Sequence, residues 1–130
     1  MVNSLTPRTT FPKRLIFDWL PLFFYLGLIF YLSSIPQPFR YHPFKYFDKL
    51  LHALEYAILS LLFYRAIKDL VQEPLVRYVS VMAIAGCIFY GILDEYHQAF
   101  VPMRSSDPYD VVADAVGATL MQGLLYFFQR

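Results

Sequence analysis

Between Asp94 and Asp114 the chain reads D-E-Y-H-Q-A-F-V-P-M-R-S-S-D-P-Y-D-V-V-A-D, which gathers five carboxylates, one histidine and one arginine within 21 residues. Groups of these types at this density can move protons, ligate a cation or bind an anionic headgroup. The flanking stretches are strongly apolar. In hydrocarbon an unpaired charge costs roughly 2.5–3.5 kcal/mol on insertion scales, so ionisable residues in such a place mark a functional site by default.

A second group precedes this run. Asp48, His52, Glu55 and Tyr56 follow one another at intervals that put the first three on one helix face. In the later run Asp94 and His97 form an i, i+3 pair, Glu95 and Gln98 form another beside it, and Asp107, Asp110 and Asp114 again share a face. At 1.5 Å per residue, His52, Glu55, Asp94 and Asp114 sit about 6 to 10 Å inward from one common surface. We therefore expect His52, Glu55, Asp94, Glu95, His97, Gln98, Asp110 and Asp114 to carry any chemistry. Lys49, Tyr56 and Arg104 are the expected contacts to a bound group. His52 or His97 would be a general base held by Glu55 or Asp94, with Arg104 and Lys49 on an anionic group. The H-x-x-E of residues 52–55 and the D-x-x-H of 94–97 also have the spacing of carboxylate–histidine metal sites in helical bundles, so a divalent ion stays open as cofactor. Ser33, Ser34, Ser105 and Ser106 lie near the same surface without the spacing of a nucleophile motif.

Each group has a structural reading as well. Asp48 and Asp107 occupy positions suited to helix N-caps, where an acid also complements the helix dipole. His52 and Glu55 could be a hydrogen-bonded pair, and Arg104 a headgroup contact. Tyr25, Phe30, Tyr31, Tyr126 and Phe127 read as interface belt and packing. Asp114, within V-V-A-D-A-V-G-A, has only small apolar neighbours and is hardest to explain as solvated.

Four apolar stretches must position these residues: about 15–33, 47–66, 75–100 and 107–128, behind an N-terminal tail of about 1–14. Each approaches the ~20 residues that cross ~30 Å of hydrocarbon. Pro21 falls early in the first, I-P-Q-P at 35–38 stops it, and Ser106-Asp107-Pro108 opens the fourth. Residues 78–93 contain Ser80 as their one clearly polar side chain. In water that helix would have to be surrounded on every side, which a bundle of this size cannot do for two of its four members. The expected fold is thus an all-α, integral membrane four-helix bundle in a single domain. Gly86, Gly91 and Gly117, with Ala83, Ala85 and Ala118, are expected where helices approach closely.

Composition agrees: 58% of the 130 residues are hydrophobic, 19% aromatic and 16% charged. A net charge of +1 with no basic stripe excludes a nucleic-acid partner, and Cys87 alone can form no internal disulfide. Asp18 and Pro21 in the first apolar stretch, with no small-residue cleavage site after it, favour a retained helix over a signal peptide. Arg8, Lys13, Arg14, Arg65, Lys68, Arg77 and Arg130 fall on one side; Arg40, Lys45, Lys49 and Arg104 fall on the other. Both termini are therefore expected on the cytoplasmic face of the cell membrane, with the acidic cluster outward.

Two blocks carry a resemblance to a known family. D-K-L-L-H-A-L-E-Y at 48–56 is similar to D-K-x-x-H-x-x-x-Y of the VanZ-like membrane proteins. D-E-Y-H-Q-A-F-V-P-M-R, followed by Asp110, Asp114 and Gly117, resembles that family's D-E-x-x-Q-x-F-x-P-x-R-x(5)-D-x-x-x-N-x-x-G. The chain departs from the pattern at Asp114, where the family usually has Asn. The added carboxylate must be protonated, paired with Arg104, Lys49 or a histidine, or bound to a cation. The resemblance implies a four-span membrane fold and, through the family's namesake, an association with teicoplanin resistance, but no defined reaction.

Three functions compete at this stage. One is an enzyme or lipid-handling site taking membrane lipid or a lipid-linked envelope substrate; another is a non-enzymatic scaffold or binding protein whose polar cluster fixes helix register. Transport is disfavoured by so narrow a bundle.

Overall fold

The computed structural model of the protein describes residues 11–37 and 42–129. Four helices dominate it: α1 (Phe11–Ser33), α2 (Phe47–Lys68), α3 (Val79–Gln98) and α4 (Pro108–Phe128), with one 3-10 turn at Leu75–Tyr78 leading into α3. All four include stretches long and apolar enough to cross a membrane, and no strand occurs among the described residues. The chain is an all-α, multi-pass membrane bundle. The C-terminal ends of α1 and α3 and the N-terminal ends of α2 and α4 share one face of it, so connections 34–46 and 99–107 bring the two polar blocks together.

Several local expectations are corrected. The apolar span of α1 is Leu15–Ser33 as expected, but the helix extends back to Phe11, which leaves Pro21 well inside it. Its missing N–H leaves the carbonyl four residues back without its usual donor. Asp48 does not cap α2: Tyr46 holds that position with no side-chain bond, and Asp48 lies in the first turn, where its charge still suits the dipole. Asp107 does cap α4, accepting from the Tyr109 amide at 2.9 Å with Pro108 following at the first helical position. Between α3 and α4, Met103 adopts φ 63°, a left-handed conformation costing a branched-chain-free residue about 1 kcal/mol. That turn aims Arg104 back at the end of α1.

The bundle is apolar outside and partly polar inside. Phe24, Phe89, Leu120 and Phe127 are exposed, whereas Ser60, Gln98, Asp110, Asp114 and Gln122 are buried. In lipid the surface needs no cover, and the helices gain nothing by hiding oil from oil; close packing and interhelical hydrogen bonds must hold them. α2 packs most extensively on α4 and also on α3, with α1 against α2 and only lightly on α3. Gly117 is the point of closest approach: a Cβ there would run into the backbone of Ala53. Gln122 Nε2 donates to Ser60 Oγ at 2.7 Å and to the Ser60 carbonyl at 3.1 Å, while Ser60 Oγ donates to the Ala118 carbonyl at 3.1 Å. Tyr90 and Tyr25 donate to the carbonyls of Leu26 and Glu55 at 2.6 and 3.1 Å, tying α1 to α3 and α2. Tyr25 thus faces inward, unlike the exposed Tyr31 and Tyr126 of the expected belt. Far from the polar end, Arg65 pairs with Asp18 at 3.2 Å.

Gly117→Leu should lower stability by about 1–3 kcal/mol or more through overpacking. Gly27→Ala, which meets open space, should leave it unchanged. Thermal melting in detergent separates the two, and equal melting temperatures would refute the close α2–α4 contact.

Candidate functional site

The α2–α4 contact is where the ionisable residues meet. Lys49, in the first turn of α2, reaches across to α4: its Nζ lies 2.5 Å from Asp107 Oδ2, 2.5 Å from Asp110 Oδ1 and 3.1 Å from Asp48 Oδ2. Its ammonium holds the Asp107 carboxyl below the usual carboxylate range, helped by the Tyr109 amide. The stabilisation from a lowered carboxyl is present above the ordinary value near pH 4 and is lost only as pH falls through the lowered one. The tie therefore persists across neutral pH. One turn deeper, His52 Nδ1 meets Asp114 Oδ1 at 2.9 Å. An ionised carboxylate only accepts, so Nδ1 carries the proton and donates it. The other nitrogen, Nε2, faces Asp110 Oδ2 at 3.6 Å, beyond hydrogen-bond reach.

The Asp114 carboxylate is wedged between α2 and α3. A Cβ on Gly91 would sit 2.6 Å from Asp114 Oδ2, so only glycine leaves room for it. Of the partners that the sequence allows Asp114, the histidine is the one found: His52.

Beside these pairs lies a cavity of about 670 Å³. Its walls come from α1 (Tyr25, Ile29, Leu32, Ser33), α2 (Leu51, His52, Leu54, Glu55, Ile58), the end of α3 (Asp94, Gln98), Arg104 and Asp110. It grades from apolar to ionisable. Two buried atoms on this wall, Ser33 Oγ and Asp94 Oδ1, have no hydrogen-bond partner among the described residues. Asp94 Oδ2 accepts from Gln98 Nε2 at 2.9 Å.

Other expected site residues are placed elsewhere. His97 lies on the α1 side of α3, with its ring centroid 4.6 Å from that of Phe30 and Nε2 2.9 Å from Ser34 Oγ. Ser34 donates its own proton to the Phe30 carbonyl at 2.7 Å, so it accepts from His97 Nε2–H. The i, i+3 expectation fails because Gln98, at i+4, is only about 40° from Asp94 around the helix, against about 60° for His97. Glu95 likewise does not pair with Gln98. Its Oε2 accepts from the Asp107 amide at 2.8 Å and Ser106 Oγ at 3.2 Å, bracing the start of α4. Tyr56 is fully buried in the core and does not line the cavity. Arg104 donates to the carbonyls of Leu32 at 2.6 Å and Ile35 at 3.1 Å, closing the end of α1. Lys49 and Arg104 are thus both engaged with protein oxygens, Arg104 from the cavity wall. The α1 wall went unforeseen, although the two serines that end the helix hinted at a polar edge.

A family model described as VanZ/LLP1 matches residues 4–129. The chain belongs to this VanZ-like family. No curated protein and no solved structure matches it significantly. In this chain position 114 faces a histidine donor, and an asparagine carbonyl there could accept the same bond that Asp114 accepts.

Asp114→Asn should accordingly keep the bundle folded. Asp114→Leu should cost about 1–3 kcal/mol by leaving the His52 donor unsatisfied. Melting temperatures in detergent report the order wild type, Asn, Leu; an Asn variant as unstable as the Leu variant would contradict the pairing.

Proposed function

We propose that the protein is a VanZ-like envelope-membrane protein whose cavity binds the headgroup of a membrane lipid or lipid-linked envelope molecule. The observation that carries this reading is the pair of unpartnered buried atoms, Ser33 Oγ and Asp94 Oδ1, on a cavity wall that turns apolar toward Ile29, Leu54 and Ile58. A buried polar atom without a partner loses about 1–3 kcal/mol relative to a bonded one. A headgroup bearing hydroxyl or amine donors would satisfy Asp94 and offer an oxygen to Ser33, while its acyl or prenyl chain follows the apolar wall into lipid. Because Lys49 and Arg104 already hold protein oxygens, recognition through donors fits better than capture of a bare anion.

The reading places the protein in the cell membrane with both termini cytoplasmic and the cavity outward. Its support is the excess of Lys13, Arg14, Arg65, Lys68 and Arg77 over Lys45, Lys49 and Arg104; Arg8, Arg40 and Arg130 of the same count lie outside the described residues. A structural role for the cluster is the second reading. It is favoured by the mutual satisfaction of Lys49 with its three aspartates and of His52 with Asp114.

The wild-type protein should co-purify with envelope lipid detectable by native mass spectrometry. Ile58→Trp, which fills the apolar wall, should lose most of that lipid without a lower melting temperature. Unchanged lipid content in a folded Trp variant would leave the structural reading in possession. A fluorescent protein fused to the C-terminus should mature in the cytoplasm; fluorescence lost to export would reverse the orientation.

A further inference from the structure

One carboxylate oxygen of Glu95, one of Asp110 and a ring nitrogen of His52 lie within 4.8 Å of one another, on three different helices. Glu95 is 5% exposed and Asp110 3% exposed. The second oxygen of Glu95, Oε1, has no hydrogen-bond partner among the described residues. Oε2 is used, as the brace on Ser106 and the Asp107 amide. Asp110 divides its oxygens in the same way: Oδ1 is held by Lys49, and Oδ2 faces His52. With Nδ1 engaged by Asp114, the other ring nitrogen, Nε2, faces Asp110 Oδ2 at 3.6 Å. Two carboxylate oxygens and a ring nitrogen thus converge on a small space, and the excess negative charge there favours a bound cation.

We propose that His52, Glu95 and Asp110 bind one divalent transition-metal ion, with Asp114 orienting the histidine. The carboxylate–histidine–metal relay is the usual way such a ring is fixed and made more basic. One imidazole and two carboxylates suit a first-row divalent ion such as Zn²⁺ or Mn²⁺ better than Ca²⁺ or Mg²⁺, which prefer all-oxygen sets. Ligand atoms within 4.8 Å of one another draw in modestly to reach bond lengths of about 2.0–2.2 Å. Three protein ligands leave at least one coordination position open. His52 and Asp110 also line the cavity, so that position is turned toward whatever the cavity holds. The ion would offset two buried carboxylates that Lys49 reaches only in part.

This assignment goes beyond the lipid reading and does not depend on it, because metal binding is measured without added lipid. The full-length protein, purified in detergent and stripped with chelator, is titrated with ZnCl₂, MnCl₂ and CaCl₂ by calorimetry, and metal content is read by elemental mass spectrometry. One Zn²⁺ or Mn²⁺ per chain is expected, with Ca²⁺ weaker by at least tenfold. His52→Gln and Glu95→Gln should each abolish binding or weaken it by 100-fold or more, and Asp114→Leu by about 10–100-fold through the histidine. Asp94→Asn and Glu55→Gln should bind as wild type does. If Glu95→Gln fails to fold, His52→Gln decides the matter, since its side-chain amide can still donate to Asp114 and it takes no part in the helix brace. No binding to the folded wild type, or wild-type binding by a folded His52→Gln variant, overturns the site.

Discussion

The bond between His52 and Asp114 is the contact on which the other polar groups depend. It sits about one and a half turns inside α4, where removing a single partner from a buried charged pair is far more costly than never having placed it. Two missing side chains make room for it. Gly117 lets α4 approach the backbone of α2 at Ala53, and Gly91 leaves space over α3 for the second oxygen of Asp114. The carboxylate therefore touches three helices at once. Helices that feel no hydrophobic attraction to one another in lipid need such a point of registration. Once it is set, Lys49 falls opposite Asp107 and Asp110, and Glu95 reaches the start of α4.

A gradient follows from that arrangement. The α2–α4 interface holds the cluster's ion pairs, whereas the cavity beside it is faced by unpartnered atoms of α1 at Ser33 and of α3 at Asp94. α1 makes no extensive contact with α4 and is fastened chiefly by tyrosine hydroxyls and Arg104 to backbone carbonyls. The cavity's polar wall thus lies at the boundary between a tightly keyed trio of helices and one loosely keyed helix.

Much of this was legible in the chain. Apolar runs of membrane-crossing length identify the spans, and Ser106-Asp107-Pro108 marks the cap of α4, because these signals are local. The convergence of His52, Asp110 and Asp114 also follows from helical spacing, since only one side of a short antiparallel bundle can collect them. Sidedness within a face is another matter. Whether Gln98 or His97 stands beside Asp94 turns on some tens of degrees of rotation, which α1 and Phe30 decide and no spacing encodes. The role of Arg104 was hidden for a related reason: its partners are carbonyl oxygens, which every residue has and no sequence pattern displays. That Glu95 also braces a helix start was hidden too, because the amide its Oε2 serves belongs to a loop that turns through the left-handed Met103.

That turn has a consequence for how the protein is made. Arg104 reaches the Leu32 and Ile35 carbonyls from 72 and 69 residues further along the chain. At a synthesis rate of roughly 5–20 residues per second, α1 would wait several seconds in the membrane before the side chain that fastens its end emerges. During that interval α1 is an apolar helix free to tilt and slide, and the last connection to be threaded is the one that fixes the first helix in place.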